Sequence, residues 1–211
     1  TVLRVALNQF ERFQSGDITG YWTLEGGASR GMRALGASQD PQNLNQQDAH
    51  SQFHKLDVNG SLSVMLGKVG PRMVAYRGNF SWQWAHVGLF SSQQIFAGGT
   101  DSVRGFSQGG ISGDKGGYVR NELYLADVPD LPMGEASLHV EPYFFFDGGR
   151  TTLLAGDGSQ HIIGSGLGLR WVARRGGGVL NGDLQLGRGL SQPVVLGPKQ
   201  TVFQANVSMS F

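Results

Sequence analysis

An antiparallel transmembrane β-barrel is the fold this sequence predicts, on three observations: polar and apolar residues alternate over long runs, glycine is abundant while charge is scarce, and no apolar run would make a membrane helix. The chain of 211 residues holds 34 glycines, no cysteine and 16% charged residues, against about 7% glycine and 25% charge in ordinary soluble domains. An apolar fraction of 39% is enough for a folded protein. The glycines follow no G-X-Y period and prolines number only 7, which excludes collagen. A net charge of +1 without a basic tract leaves no footprint for nucleic acid, and the lack of cysteine removes disulfides and thiolate metal sites. No stretch reaches the ~18 apolar residues of a spanning helix. The opening Thr1-Val2-Leu3-Arg4 is already strand-like rather than a leader, so the chain is expected to be a mature or truncated product.

Nine runs carry the alternation. Residues 2–10 and 17–26 show it weakly and meet at the turn Ser15-Gly16-Asp17. In 55–66, Leu56, Val58, Leu62, Val64 and Leu66 oppose Lys55, Asp57, Asn59, Ser61 and Ser63. The turn Val69-Gly70-Pro71 leads to 73–84, where Val74, Tyr76, Phe80, Trp82 and Trp84 oppose Arg77, Asn79, Ser81 and Gln83. A weak run at 117–126 precedes 137–147, in which Leu138, Val140, Phe144 and Phe146 oppose His139, Glu141, Tyr143, Phe145 and Asp147. Residues 160–172 set Ile163, Leu167, Leu169 and Trp171 against a nearly bare face of Gly164, Gly166, Gly168 and Arg170. After Arg175-Gly176-Gly177 comes 178–190, whose apolar face carries Arg188; a cation there costs roughly 2–4 kcal/mol at the bilayer midplane and little near the interface, which places it at the rim. The last run, 203–211, puts Phe203, Ala205, Val207, Met209 and Phe211 on one face and Gln204, Asn206, Ser208 and Ser210 on the other.

Short turns alternate with the longer connections 27–50, 86–116 and 191–199, as in barrels with tight periplasmic turns and long external loops; 127–136 is intermediate and falls on the periplasmic side. A soluble sandwich or lipocalin-like barrel also alternates, but Tyr76, Trp82 and Trp84 share one face and the charges the other, as expected with lipid outside and water within. Single-chain bacterial barrels use an even strand count. Nine strands are therefore expected not to close alone, with upstream strands missing.

The connection 86–116 is long enough to imply a task. It contains Gly98-Gly99-Thr100-Asp101-Ser102-Val103-Arg104-Gly105-Phe106 and ends in Gly113-Asp114-Lys115-Gly116, which leads into Arg120-Asn121-Glu122-Leu123; further on lies Phe145-Phe146-Asp147-Gly148-Gly149. In this order and spacing the motifs resemble the polypeptide-transporting outer-membrane barrels, a superfamily of barrel-assembly insertases and two-partner secretion transporters. Val103, Arg104, Gly105 and Phe106 look like the tip of that superfamily's sixth external loop, which folds into the lumen, and Phe145-x-Asp147-x-Gly149 like its partner motif on the thirteenth strand. Gly-Asp-Lys-Gly followed by Arg-Asn-Glu-Leu is similar to the strand after that loop in the transporters of the haemolysin and haemagglutinin secretion-activation family, with Lys115 where Arg is usual. Terminal Phe211 looks like the assembly signal of outer-membrane barrels. The resemblance is close over 53–211 and is one of strand pattern over 1–52.

Residues 1–211 are therefore expected to be the C-terminal part of a sixteen-stranded barrel, without about seven upstream strands and the periplasmic docking domains. A buried guanidinium needs an acceptor, so Arg104 is expected on Asp147 as loop anchor and gate. Arg120 and Glu122 share the lumen face, and the bare Gly164, Gly166 and Gly168 leave room for the loop to lie flat. The resemblance implies an outer-membrane transporter that secretes a large partner polypeptide, such as a haemolysin or adhesin. Its partners would be that exoprotein, membrane lipid and the barrel-assembly machinery, with no nucleic acid and no cofactor. An insertase of the same superfamily and a passive porin are the alternatives. Gly164-Ser165-Gly166-Leu167-Gly168 lies in a strand with no helix to follow, so it is no nucleotide site. His50, His54, His86, His139 and His161 lack metal spacing, and no nucleophile elbow is present, so no enzyme is expected.

Overall fold

The computed structural model describes residues 1–107, 109–156 and 158–210. Among these, nine long strands form one antiparallel meander: β1 (Val2–Ser15), β2 (Ile18–Gly31), β3 (His54–Val69), β4 (Arg72–Ala85), β5 (Lys115–Leu125), β6 (Ala136–Leu153), β7 (Gly158–Arg175), β8 (Gly178–Ser191) and β9 (Thr201–Ser210). Each pairs with its neighbour in sequence, and among the described residues no pair joins β1 to β9. Phe211 lies outside the described residues.

Every run read from the sequence is present, and most strands run further than their alternation. β6 and β7 reach 18 residues each, about 60 Å of strand, whereas the hydrocarbon core is about 30 Å thick. Alternation marks the part that touches lipid. Beyond the alternating part the backbone ladder continues without an apolar signal.

The apolar faces point outward. Leu7, Leu56, Phe80, Trp82, Val119, Leu123, Phe144, Phe146, Leu167, Leu186 and Phe203 are all exposed, a continuous apolar belt that a soluble protein of this size would not leave uncovered. The buried clusters lie on the other, concave face. One joins Ala97, Val103, Phe106, Ile111 and Ile162; a second joins Ala75, Tyr124, Tyr143 and Phe145; a third joins Phe53, Ala85 and Leu89. Arg188 is exposed three residues from the end of β8 and pairs with Thr201, the first residue of β9, which puts it at the rim.

The connection between β4 and β5 was legible only as irregular chain. It contains a short antiparallel ladder of Ile95–Ala97 with Ile111–Gly113, which draws the two limbs of the loop together. The connection between β2 and β3 meets the start of that loop through a parallel pairing of Ala49–His50 with Gly88–Leu89. Leu131–Met133 pairs back onto β6, so the intermediate connection is a small hairpin.

Candidate functional site

The limbs of the β4–β5 loop descend from the end of the sheet that carries Ala85 and Lys115, and their tip lies beside the middle of β6. Asp147 sits six residues inward from Leu153, about 20 Å of strand. The tip is shaped by Gly98 and Ser102: the Ser102 hydroxyl accepts from the Gly98 N–H at 2.7 Å and donates to its carbonyl at 2.8 Å. Gly105 is required twice over. Its φ of +94° disfavours any side chain, and a Cβ would press on the Arg188 backbone at 2.8 Å.

Arg104 is 1% exposed and Asp147 0%. Arg104 Nε donates to Asp147 Oδ2 at 2.7 Å, and Nη2 donates to Oδ1 at 2.9 Å, the forked geometry that matches guanidinium to carboxylate. The Arg104 backbone N–H also reaches Oδ2 at 3.1 Å, and the Asn121 backbone N–H reaches Oδ1 at 3.0 Å. A carboxylate has about four acceptor sites, and these four N–H groups fill them. Arg104 Nη1 donates to Glu122, and the guanidinium carbon lies 4.2 Å from the Phe145 ring centroid.

Glu122 carries the ionic network away from the loop. Its other oxygen accepts from Arg170, which also donates to Glu141, and Arg77 Nη1 stands 3.6 Å from Glu122 and 3.9 Å from Glu141. Arg120 lies at the margin, 4.0 Å from Glu122. So the structure brings Arg104, Asp147 and Glu122 together, with Arg120 on their lumen side. From sequence Glu122 was expected on this face only as a lumen residue; here it is the second carboxylate of the buried Arg104.

Gly149 belongs to the same site by its bareness. A Cβ there would meet Ala97 Cβ at 2.7 Å and Val103 Cγ2 at 3.1 Å, so the loop packs flat on β6 at that point. The three glycines of β7 divide differently from the expectation that all receive the loop. Gly164 alone meets it: a Cβ at 164 would overlap the Arg104 carbonyl oxygen and lie 3.3 Å from the Phe106 ring. Gly166 sits against the Phe145 ring and Gly168 against the Tyr143 ring, their cross-strand partners. These two support the loop at one remove, by seating the rings of Phe145 and Tyr143, whose centroids lie 4.2 and 5.9 Å from the Arg104 guanidinium carbon. The glycines that complete the loop's bed are on β8. A Cβ on Gly187 would stand 3.2 Å from the Gly105 Cα, and one on Gly189 would stand 2.7 Å from the Phe106 ring.

A second carboxylate, Asp114, holds the base of the loop. It is 1% exposed. Its Oδ1 accepts from the Leu89 N–H at 2.7 Å and from Gln94 Nε2 at 3.3 Å, and its Oδ2 accepts from the Leu154 N–H at 2.7 Å. Thus one side chain ties the descending limb and the β6–β7 turn to the start of β5. Its signal in the sequence was the Gly-Asp-Lys-Gly motif, which had no role beyond family likeness. Through Asp147 at the tip and Asp114 at the base, the loop is hydrogen-bonded to the sheet at both of its ends.

The chain is similar to known outer-membrane proteins. The family described as haemolysin secretion/activation protein ShlB/FhaC/HecB matches residues 1–171. The outer membrane transporter CdiB of Dickeya dadantii (strain 3937) is 34% identical over 95 residues, 45% of this chain and 16% of the relative. CdiB of Escherichia coli O6:K15:H31 (strain 536 / UPEC) is 35% identical over 124 residues, 58% of this chain and 19% of the relative. The solved structure of CdiB from Escherichia coli superposes with a TM-score of 0.78 at 28% identity, covering 99% of this chain and 36% of that one. The chain thus spans 19% or less of the length of these curated relatives. By a match over residues 1–171, which takes in Arg104 and both its carboxylates, the chain belongs to the haemolysin secretion/activation protein family of ShlB, FhaC and HecB and to the outer membrane of Gram-negative bacteria.

Proposed function

We propose that this segment forms part of the wall of a pore through which a large secreted partner, of the haemolysin or adhesin kind, crosses the outer membrane unfolded. The observation that carries the reading is Arg104, buried deep in the lumen with Asp147 and Glu122 as its acceptors. Such a loop narrows the passage and is held by bonds that can be exchanged, so it acts as the gate. The remaining inner face, with Thr23, Asn59, Ser61, Asn79 and Ser81 around one concave opening, offers a moving chain hydrogen bonds and few apolar places to stick. Transport on this reading needs no cofactor, nucleic acid or chemistry of its own, and draws on folding of the partner outside. Lipid meets the apolar belt, and the barrel-assembly machinery inserts the chain.

The test is Arg104→Ala in the intact protein. Removing one partner of a buried ion pair leaves the other uncompensated, at a cost of about 3–5 kcal/mol. Secretion of the partner is expected to fall about tenfold or more, with the amount of folded barrel in the outer membrane unchanged. Export at the wild-type rate refutes the gate.

A further inference from the structure

The wall behind the anchor has a missing rung. β5 and β6 pair in a single register, with Val119 opposite Gly148 and Glu122 opposite Phe145, but Asn121 and Phe146, and Arg120 and Asp147, make no ladder pair between them. The register resumes without a slip, so this is not a bulge, which would add a residue to one strand. Backbone groups unpaired at membrane depth are costly, and both groups of the lost rung have found substitutes. The Asn121 N–H donates to Asp147 Oδ1 at 3.0 Å instead of to the facing strand. The Phe146 carbonyl accepts from Asn121 Nδ2 at 2.7 Å.

The Asn121 side chain thereby stands in for its own backbone. By the period of two it lies on the outer face with Val119 and Leu123, both exposed. A carboxamide facing lipid is unfavourable unless satisfied, and here its oxygen accepts from the Tyr76 hydroxyl at 2.8 Å. On this face a residue of this size is expected to be apolar, as its neighbours are. Its chemistry points inward, through the backbone, to the anchor.

We infer that Asn121 is a positioning residue for the loop anchor: by capping the Phe146 carbonyl it keeps the Asn121 N–H turned to Asp147, completing the set of donors that orients this carboxylate for Arg104. The inference deepens the gate reading at one point, the docking of the loop, and does not depend on what is exported. Without the carboxamide the rung is free to close. Asp147 then loses a donor, and its carboxylate is free to rotate away from the guanidinium fork.

Trypsin cleavage after Arg104 in the intact, membrane-inserted protein tests this, with Asp147→Asn as the reference for a released loop. Asn121→Leu, which suits the lipid face, is expected to speed cleavage about tenfold, while the heat-unfolding transition of the barrel stays in place. Tyr76→Phe, which only frees the carboxamide to turn, is expected to give about a twofold increase and serves if the leucine variant fails to insert. Cleavage of Asp147→Asn with full protection in both Asn121→Leu and Tyr76→Phe overturns the role of Asn121 and spares the anchor. Protection of Asp147→Asn as well overturns both. A lowered unfolding transition that exposes every loop together in Asn121→Leu makes Asn121 merely structural.

Discussion

The inner face of one sheet has two halves, alike in strand geometry and opposite in what covers them. Over β6–β8 the face is bare or aromatic, with Gly164, Gly187, Gly189 and Phe145, and the loop lies on it with Val103 and Ile162 at 0% exposure. Over β2–β4 the face is polar, with hydroxyl and amide pairs among charges such as Glu25, Asp57 and Arg77: Thr23 pairs with Ser61 at 2.6 Å and Ser81 with Asn59 at 2.7 Å, beside an open concavity. Both halves read as the non-apolar face of an alternating strand. The difference lies in whether that face lacks side chains or carries small hydrogen-bonding ones. Here glycine marks where the loop comes to rest, and Ser, Thr and Asn line the part it leaves open.

One substitution placed on each half should break the symmetry most sharply. Gly164→Val drives a side chain into the Arg104 carbonyl, which is backbone and cannot swing aside; forced overpacking of this kind costs about 1–3 kcal/mol, and the upper end is expected here. Ser61→Val adds similar bulk where the lumen is open and forfeits one hydroxyl pair, about 1 kcal/mol or less. Single-channel recording in planar bilayers should show a large rise in open conductance for the first and little change for the second. Equal conductance in both would mean that the bare half is not the loop's bed. Next in size is Asp114→Asn, which turns a pure acceptor into a group that must present N–H to either Leu89 or Leu154. Losing one charge-assisted bond costs about 1.5–3 kcal/mol, less any rearrangement. Amide exchange at Leu89 and Leu154 should quicken while the tip keeps its protection, and loss at the tip first would show that the base does not hold independently.

How far this contrast was visible in the sequence depends on whether a feature belongs to one strand or to two. Alternation is a property of a single strand, and so the nine strands, their outward Trp82 and Leu167 and the inward Asp147 were all legible. The fate of Gly166 and Gly168 depends on register. Only the pairings Phe145 with Gly166 and Tyr143 with Gly168 show that rings, and not the loop, fill those spaces. The second carboxylate of Arg104 was hidden in the same way: Glu122 faced the lumen by its period, but its closeness to Arg104 and Arg170 arises from three strands brought side by side. The Arg104–Asp147 pair is separated by 43 positions and was expected only through the order of motifs. Gly187 and Gly189 carry no signal of their own in the sequence, because only the infolded loop brings Gly105 and Phe106 onto them. Residues 1–52, patterned but without motifs, fall within the family match all the same.

The smallest expected effect concerns the long connection between β2 and β3. The connection between β2 and β3 is closed by Asp40, whose oxygens accept the N–H groups of Ser51 at 2.7 Å and Gln52 at 2.8 Å, while its own N–H donates to Gln52 Oε1. Burial pushes this carboxyl up, but the two backbone donors outweigh it and hold it below the usual carboxylate range. A carboxylate depressed on folding stabilises above its unfolded value, about 3.9, and that contribution disappears as pH falls through the lower folded value. Protection of the Ser51 and Gln52 amides, corrected for intrinsic exchange, should therefore be constant from neutral pH to about 5 and decline below about 4. Asp40→Asn should lower protection at neutral pH and flatten the acid decline. If the decline persists unchanged in that variant, a group other than Asp40 closes this connection.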